Sequence, residues 1–160
     1  MAELHAFAES WSALYSSSAA IRSLLAFVHI GGLVAAGGVA ISADLGTLRA
    51  CRRGGTALQL EIDRLHASHR LVIVSLTLVV MSGILLMMAD LDAYLHSTAF
   101  WIKMTLVLAL IANGGFLVRA GRSDASPGSR EQLRLRLVSV TSLALWFGTT
   151  LLGAILPNAV

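Results

Sequence analysis

The chain has 160 residues, of which 56% are hydrophobic and only 13% charged, and its mean hydropathy is +0.77. A soluble globular domain carries about a quarter charged residues, so that class is excluded, and the length allows one domain, residues 1–160. The net charge of +3 does not point to nucleic acid, because the arginines cluster in two loops without interleaved aromatic residues. The single cysteine, Cys51, excludes an internal disulfide and a multi-cysteine metal site, and beside Arg52 and Arg53 it reads as an incidental loop thiol.

In chain order, Leu4, Phe7, Trp11 and Leu14 recur at helical spacing among polar residues, which predicts an amphipathic helix lying in the membrane interface. Four apolar segments follow, at about 24–43, 71–89, 99–118 and 137–156. Each is close to the roughly 20 residues that carry a helix across about 30 Å of hydrocarbon. In lipid the backbone must satisfy its own hydrogen bonds, so the segments are helices. The fold class is therefore all-α: an integral membrane four-helix transmembrane bundle with an N-terminal amphipathic interfacial helix. The first apolar run lacks a positive n-region and is long enough to span, so it is expected to be a span and not a cleaved signal.

The first loop region carries Arg49, Arg52, Arg53, Arg64 and Arg70, and the third carries Arg119, Arg122, Arg130, Arg134 and Arg136. The second loop, 90–98, and the tail have none, and only Arg22 precedes the first span. By the positive-inside rule the arginine loops face the cytoplasm and both termini face outward, which for a bacterial inner membrane is the periplasm. Thr56-Ala-Leu-Gln59 and Ser129-Arg-Glu-Gln132 fit capping boxes, preceded by the breakers Gly54-Gly55 and Ser126-Pro127-Gly128. The second and fourth helices are thus expected to start in the cytoplasm, with Leu58, Ile62 and Leu65 extending an apolar stripe.

Charge inside a bilayer is costly, so ionisable residues within the spans are the leads to function. His29 and Lys103 lie a few residues inside the outer ends of the first and third spans, about 6–8 Å below the boundary at 1.5 Å per residue. Neutral imidazole is a ligand for haem iron or another transition metal, and lysine ligates only as the neutral amine. The plainer readings are a hydrogen-bonded bundle histidine and a lysine that snorkels to the interface. Gly32, Ala36 and Ala40 recur every four residues, which suits either close helix packing or a notch for a flat ligand beside His29.

His66 and His69 share a face near the inner boundary and form a possible second metal site with Asp63, although solvated interfacial residues read the same way. Met87, Met88, Asp90, Asp92 and His96 offer thioether and imidazole donors for copper as an alternative. Asp44 reads as an orientation-fixing ion pair with nearby arginines. Asn113 reads as an interhelical hydrogen-bonder, and Tyr94 with Trp101 as an interfacial belt. No nucleophile elbow, phosphate loop or zinc-protease helix is present.

The residues His29-Ile-Gly-Gly, Ala43-Asp44-Leu45-Gly46-Thr47-Leu48-Arg49, Ser82-Gly83-Ile84-Leu85-Leu86, Ala99-Phe100-Trp101-Ile102-Lys103-Met104 and Ala112-Asn113-Gly114 carry a resemblance covering most of the chain. The pattern resembles an uncharacterised family of small bacterial four-helix membrane proteins. More distantly it is similar to copper-resistance protein D domains and HemJ-type protoporphyrinogen oxidases. In the HemJ-type proteins a first-helix histidine and a third-helix lysine are tied to haem b and activity, and those positions match His29 and Lys103. The chain departs from these patterns at Ala26, where the first family often has an acidic residue, and in lacking the HemJ-type loop motifs.

The expectation is a haem b-binding redox or electron-transfer protein, a possible oxidoreductase. His29 is the axial ligand, Lys103 the second ligand or a propionate partner, and Gly32 and Ala36 line the group. Its candidate partners are the lipid bilayer, a membrane redox protein or quinone, and a second copy of the chain. The alternatives are a copper or metal permease component and a non-catalytic membrane subunit or scaffold.

Overall fold

The computed structural model describes residues 2–53, 56–120 and 129–156. The loop breakers at 54–55 and 126–128 lie outside the described residues, as do the side chains of Leu4, Thr56, Leu58, Ile62, Leu65, His66 and His69. The described residues form six helices and no strand: α1 (Ala2–Ser17), α2 (Ala19–Arg53), α3 (Thr56–Ala89), α4 (Leu91–His96), α5 (Thr98–Ala120) and α6 (Arg130–Ile155).

Four of these, α2, α3, α5 and α6, contain stretches long and apolar enough to cross a bilayer. Their outer surfaces agree with that reading, since Phe27 is 73% exposed, Val34 69%, Leu108 67% and Phe147 66%. An apolar belt of this kind is stable only against lipid or another apolar surface. The protein is an all-α membrane-spanning bundle.

The helices outrun the apolar segments that announce them. α2 covers 35 residues and α3 covers 34, because helical backbone bonding continues beyond the hydrocarbon wherever no breaker intervenes. Cys51 is a consequence of that extension: it lies in the last turn of α2, buried with Ala50 and Leu135, and not in a loop. At the start of α6 the Ser129 side chain accepts from the Gln132 amide at 3.2 Å, the expected first half of a capping box. The Gln132 side chain does not only serve its own helix: its amide donates to the Cys51 carbonyl and ties the start of α6 to the end of α2.

The packing order is α3–α2–α6–α5, with α2 central and contact between α3 and α5 at most marginal. Small residues of α2 set the approach. The position a Cβ on Gly32 would take is 2.8 Å from Val79 Cγ2 and 3.2 Å from the Ser75 carbonyl, so only glycine lets α3 come this close. On the α6 side, the Trp146 indole lies 3.3 Å from the position a Cβ on Gly37 would take and joins Ala36 and Leu110 in a buried cluster. Further along, Asn113 of α5 donates to the Val138 carbonyl of α6 at 3.0 Å, the interhelical bond expected of it.

α1 docks across the end of α3 and not only into the interface. Trp11 Nε1 donates to the Leu85 carbonyl at 2.8 Å, and the Ser12 hydroxyl to that of Ala89 at 2.7 Å. Ala8 is buried, while Phe7 and Leu14 remain about half exposed at 58% and 49%. Arg22 returns from α2 to the carbonyls of Tyr15 and Ser16, capping the C-terminal turn of α1. The connection between α3 and α5 folds into the single turn-and-a-half of α4, which lacks a sequence signal strong enough to announce it. Trp101 Nε1 donates to the Leu95 carbonyl at 3.0 Å, and Phe100 stacks edge-on with both Tyr94 and Trp101.

Candidate functional site

His29 sits on α2 in the half of the bundle that carries α1 and α4, and it is half-buried. Two residues of α3 fix its ring. Gly83 lies beneath it: a Cβ there would stand 3.3 Å from Cε1, so the missing side chain makes room for the imidazole. Ser82 Oγ is 3.0 Å from Nδ1.

The direction of that bond follows from the serine. Its hydroxyl has one proton, which it gives to the Leu78 carbonyl at 2.6 Å, with the Val79 carbonyl at 3.1 Å. Ser82 therefore accepts from His29, and the network assigns the proton to Nδ1. In the neutral ring this leaves the Nε2 lone pair available as an acceptor or ligand.

Lys103 is half-buried on α5. Its Nζ lies 3.6 Å from the position of a Cβ on Gly153, so a second glycine, this one on α6, shelters the aliphatic stem. The ammonium is near enough to His29 for their charges to interact. The structure thus places within electrostatic reach two residues separated by two helices in sequence, each resting on a glycine of a neighbouring helix.

The small residues named with them have other neighbours. Gly32 is filled from α3 by Val79 and the Ser75 carbonyl, and Ala36 is fully buried against Leu110 and Trp146. Both lie in the helix-packing seam, not beside open space. An open apolar cleft of about 330 Å³ instead runs between α1, α2 and α3, where Leu25, Val28, Met81, Ser82 and Leu85 line it. The possible second site at His66 and His69 lies outside the described residues.

On the connection carrying α4, Asp90 and Asp92 are exposed and Met87 and Met88 half-buried. His96 Nδ1 lies 2.8 Å from the Asp92 carbonyl, so one ring nitrogen is engaged within its own helix. Among the described residues, no group of three or more histidine, cysteine, aspartate or glutamate side chains converges. Tyr94 is half-buried there, and burial pushes its phenol above the usual range, with Tyr15 and Asp90 adding to the effect. It is a neutral hydroxyl at physiological pH.

Asp44 departs from the ion pair expected of it. It is 1% exposed, and neither carboxylate oxygen has a hydrogen-bond partner. The ion pair recorded among the described residues joins Arg64 to Glu61. The reason is helical phase. Asp44 continues the buried face of Gly37 and Thr47, whereas Arg49, Arg52 and Arg53 leave α2 on exposed faces. Asp44 faces α6 across from the Ser139 and Ser142 hydroxyls, and neither carboxylate oxygen closes a hydrogen bond to them.

Sequence reasoning missed Ser82, Gly83 and Gly153 as neighbours of the His29–Lys103 pair. A depth count could have found Ser82 and Gly83: they lie six or seven residues from the end of α3, about 10 Å at 1.5 Å per residue, near the level of His29. Gly153 carried no comparable signal. Comparison with family models, with curated proteins and with solved structures gives no significant match to this chain.

Proposed function

We propose that the protein is a haem b-binding redox protein of the bacterial inner membrane, with His29 as axial ligand through Nε2. The observation that carries this reading is the 3.0 Å contact of Nδ1 with Ser82: with the serine proton on the Leu78 carbonyl, the ring proton belongs on Nδ1 and the Nε2 lone pair of a half-buried histidine is free for a ligand. Metal-ligating histidines are commonly oriented in this way through their second nitrogen. The donor chemistry of the site fits haem, with one available imidazole, one ammonium within electrostatic reach and an apolar cleft reaching Ser82.

When bound, haem supplies a one-electron iron couple. His29 holds the group, and Ser82 and Gly83 set the ring's orientation. Lys103 would balance a propionate as the ammonium or, as the neutral amine, supply a second nitrogen ligand. By the positive-inside rule the α1–α4 end, with both termini, faces the periplasm, and the arginine-bearing end faces the cytoplasm. A membrane redox partner or quinone near the periplasmic surface would be the electron donor or acceptor.

The test is an absorption spectrum of the purified protein from haem-replete cells, oxidised and dithionite-reduced, with haem measured per chain. A Soret band and sharp reduced α and β bands, lost in His29→Ala, are expected. A colourless protein, or an unchanged haem complement in His29→Ala, overturns the assignment.

A further inference from the structure

Several hydroxyls in these helices follow one habit. The hydroxyls of Thr77, Ser82, Thr105 and Thr150 donate to the carbonyl four residues back, at 2.9, 2.6, 3.0 and 2.8 Å respectively. This is the default for serine and threonine in a membrane helix, because it disposes of the polar group within its own turn. Thr149 breaks that habit near the far end of α6, and so do Thr47 and Ser139. The last two are 0% exposed, and neither oxygen has a hydrogen-bond partner.

These two hydroxyls share a neighbourhood with Asp44. Thr47 is one helical turn along the same face of α2. Ser139 and Ser142 are themselves one turn apart on α6, both buried, and both face the Asp44 carboxylate across the seam. The seam between α2 and α6 therefore holds a carboxylate and at least two other oxygens, all buried and all unpartnered. Any one of them would be an expensive defect in an apolar core, and the charge the most expensive of all.

We propose that Asp44, Thr47, Ser139 and Ser142 form a binding site for a monovalent, sodium-sized cation in the α2–α6 seam. Hard cations take oxygen ligands, and this donor set is all oxygen, with no imidazole or thiolate to favour a transition metal. Charge decides the valence. One carboxylate neutralises one positive charge, whereas a divalent ion would leave an uncompensated charge in a low-dielectric interior. A proton alone satisfies one carboxylate oxygen and leaves the hydroxyl oxygens as they are. A cation engages the lone pairs of all four groups together. The site is separate from the His29–Lys103 pair and does not depend on the haem reading.

The experiment is thermal unfolding of the full chain in detergent, titrated with NaCl against choline chloride at constant ionic strength, together with ²²Na⁺ binding. A ligand that binds only the folded state raises its stability as the logarithm of the ligand concentration once above the dissociation constant. The expected result is a saturable sodium-dependent rise in Tm, about one ²²Na⁺ bound per chain, and loss of both in Asp44→Asn. Thr47→Val keeps the side-chain shape and should weaken sodium binding roughly tenfold with the fold intact, so the test survives a poorly folding Asp44 variant. Superimposable sodium and choline curves for the wild type overturn the proposal. So does a sodium response that Thr47→Val and Asp44→Asn both retain, or stabilisation by acid with no response to sodium.

Discussion

The two buried ionisable centres of this bundle are handled in opposite ways. Around His29, the serine beside the ring is engaged: Ser82 gives its proton to the backbone and takes one from the imidazole, and glycines clear space for the ring and for the Lys103 stem. Around Asp44, the carboxylate, Thr47 and Ser139 are equally buried, yet their oxygens are left open. The first arrangement orients one nitrogen and withholds it from the protein. The second withholds several oxygens at once. A single held lone pair suits a soft or borderline metal centre, whereas converging oxygens suit a hard ion. The two halves of one small bundle are thus chemically specialised, with the Trp146–Gly37 contact between them as a packed divider.

The comparison breaks most decisively at His29. Its replacement by alanine is expected to abolish the haem complement entirely, measured as haem per chain, because no other described imidazole reaches that level of the bundle. Ser82→Ala is a sharper probe, since it removes the group that fixes the tautomer and leaves the ligand in place. Loss of such an outer partner typically reduces metal affinity 10–100-fold, so haem titration of the Ser82→Ala apoprotein should show a shift of that size. An unchanged affinity would mean that Gly83 and the helix packing alone orient the ring.

Asp44 should respond in the other direction. In sodium-free choline buffer, Asp44→Asn is expected to stabilise the protein by about 1–3 kcal/mol, because an uncompensated carboxylate is replaced by an amide that can donate to the surrounding hydroxyls. Added sodium should narrow or reverse that difference, which equilibrium unfolding in mixed micelles measures. Destabilisation in both buffers would indicate that Asp44 already has a partner and that the two halves are alike.

How much of this was legible in the sequence follows from what each feature depends on. The spans, the interfacial first helix and the Ser129 cap could be read because hydropathy and capping act over one turn or one helix. His29 and Lys103 could be singled out because charge in an apolar run is itself the signal. Ser82, Gly83 and Gly153 could not be assigned, because a serine or glycine in a membrane helix is ordinary until its neighbour across the seam is known. Asp44 was read as an ion pair for a related reason. Sequence proximity to arginines is visible, but the helical phase that turns the carboxylate toward α6 depends on which face of α2 is buried. The small residues Gly32 and Ala36 carried two meanings at once, and only the positions of Val79 and Trp146 reveal what fills the space beside them.

The smallest expected effect bears on how much the polar seam itself contributes. Asn113 joins α5 to α6 through the Val138 carbonyl, one residue from Ser139. That carbonyl belongs to a continuous helix and keeps its backbone partner when the side chain is lost. Interhelical hydrogen bonds in membranes average about 0.6 kcal/mol, because the alternative states in lipid also find partners. Asn113→Leu should therefore cost about that much in equilibrium unfolding and leave the sodium response intact. A loss well above about 2 kcal/mol, or a weakened sodium response, would extend the oxygen-rich seam to α5. The contrast between the two halves would then be a contrast between two helices and three.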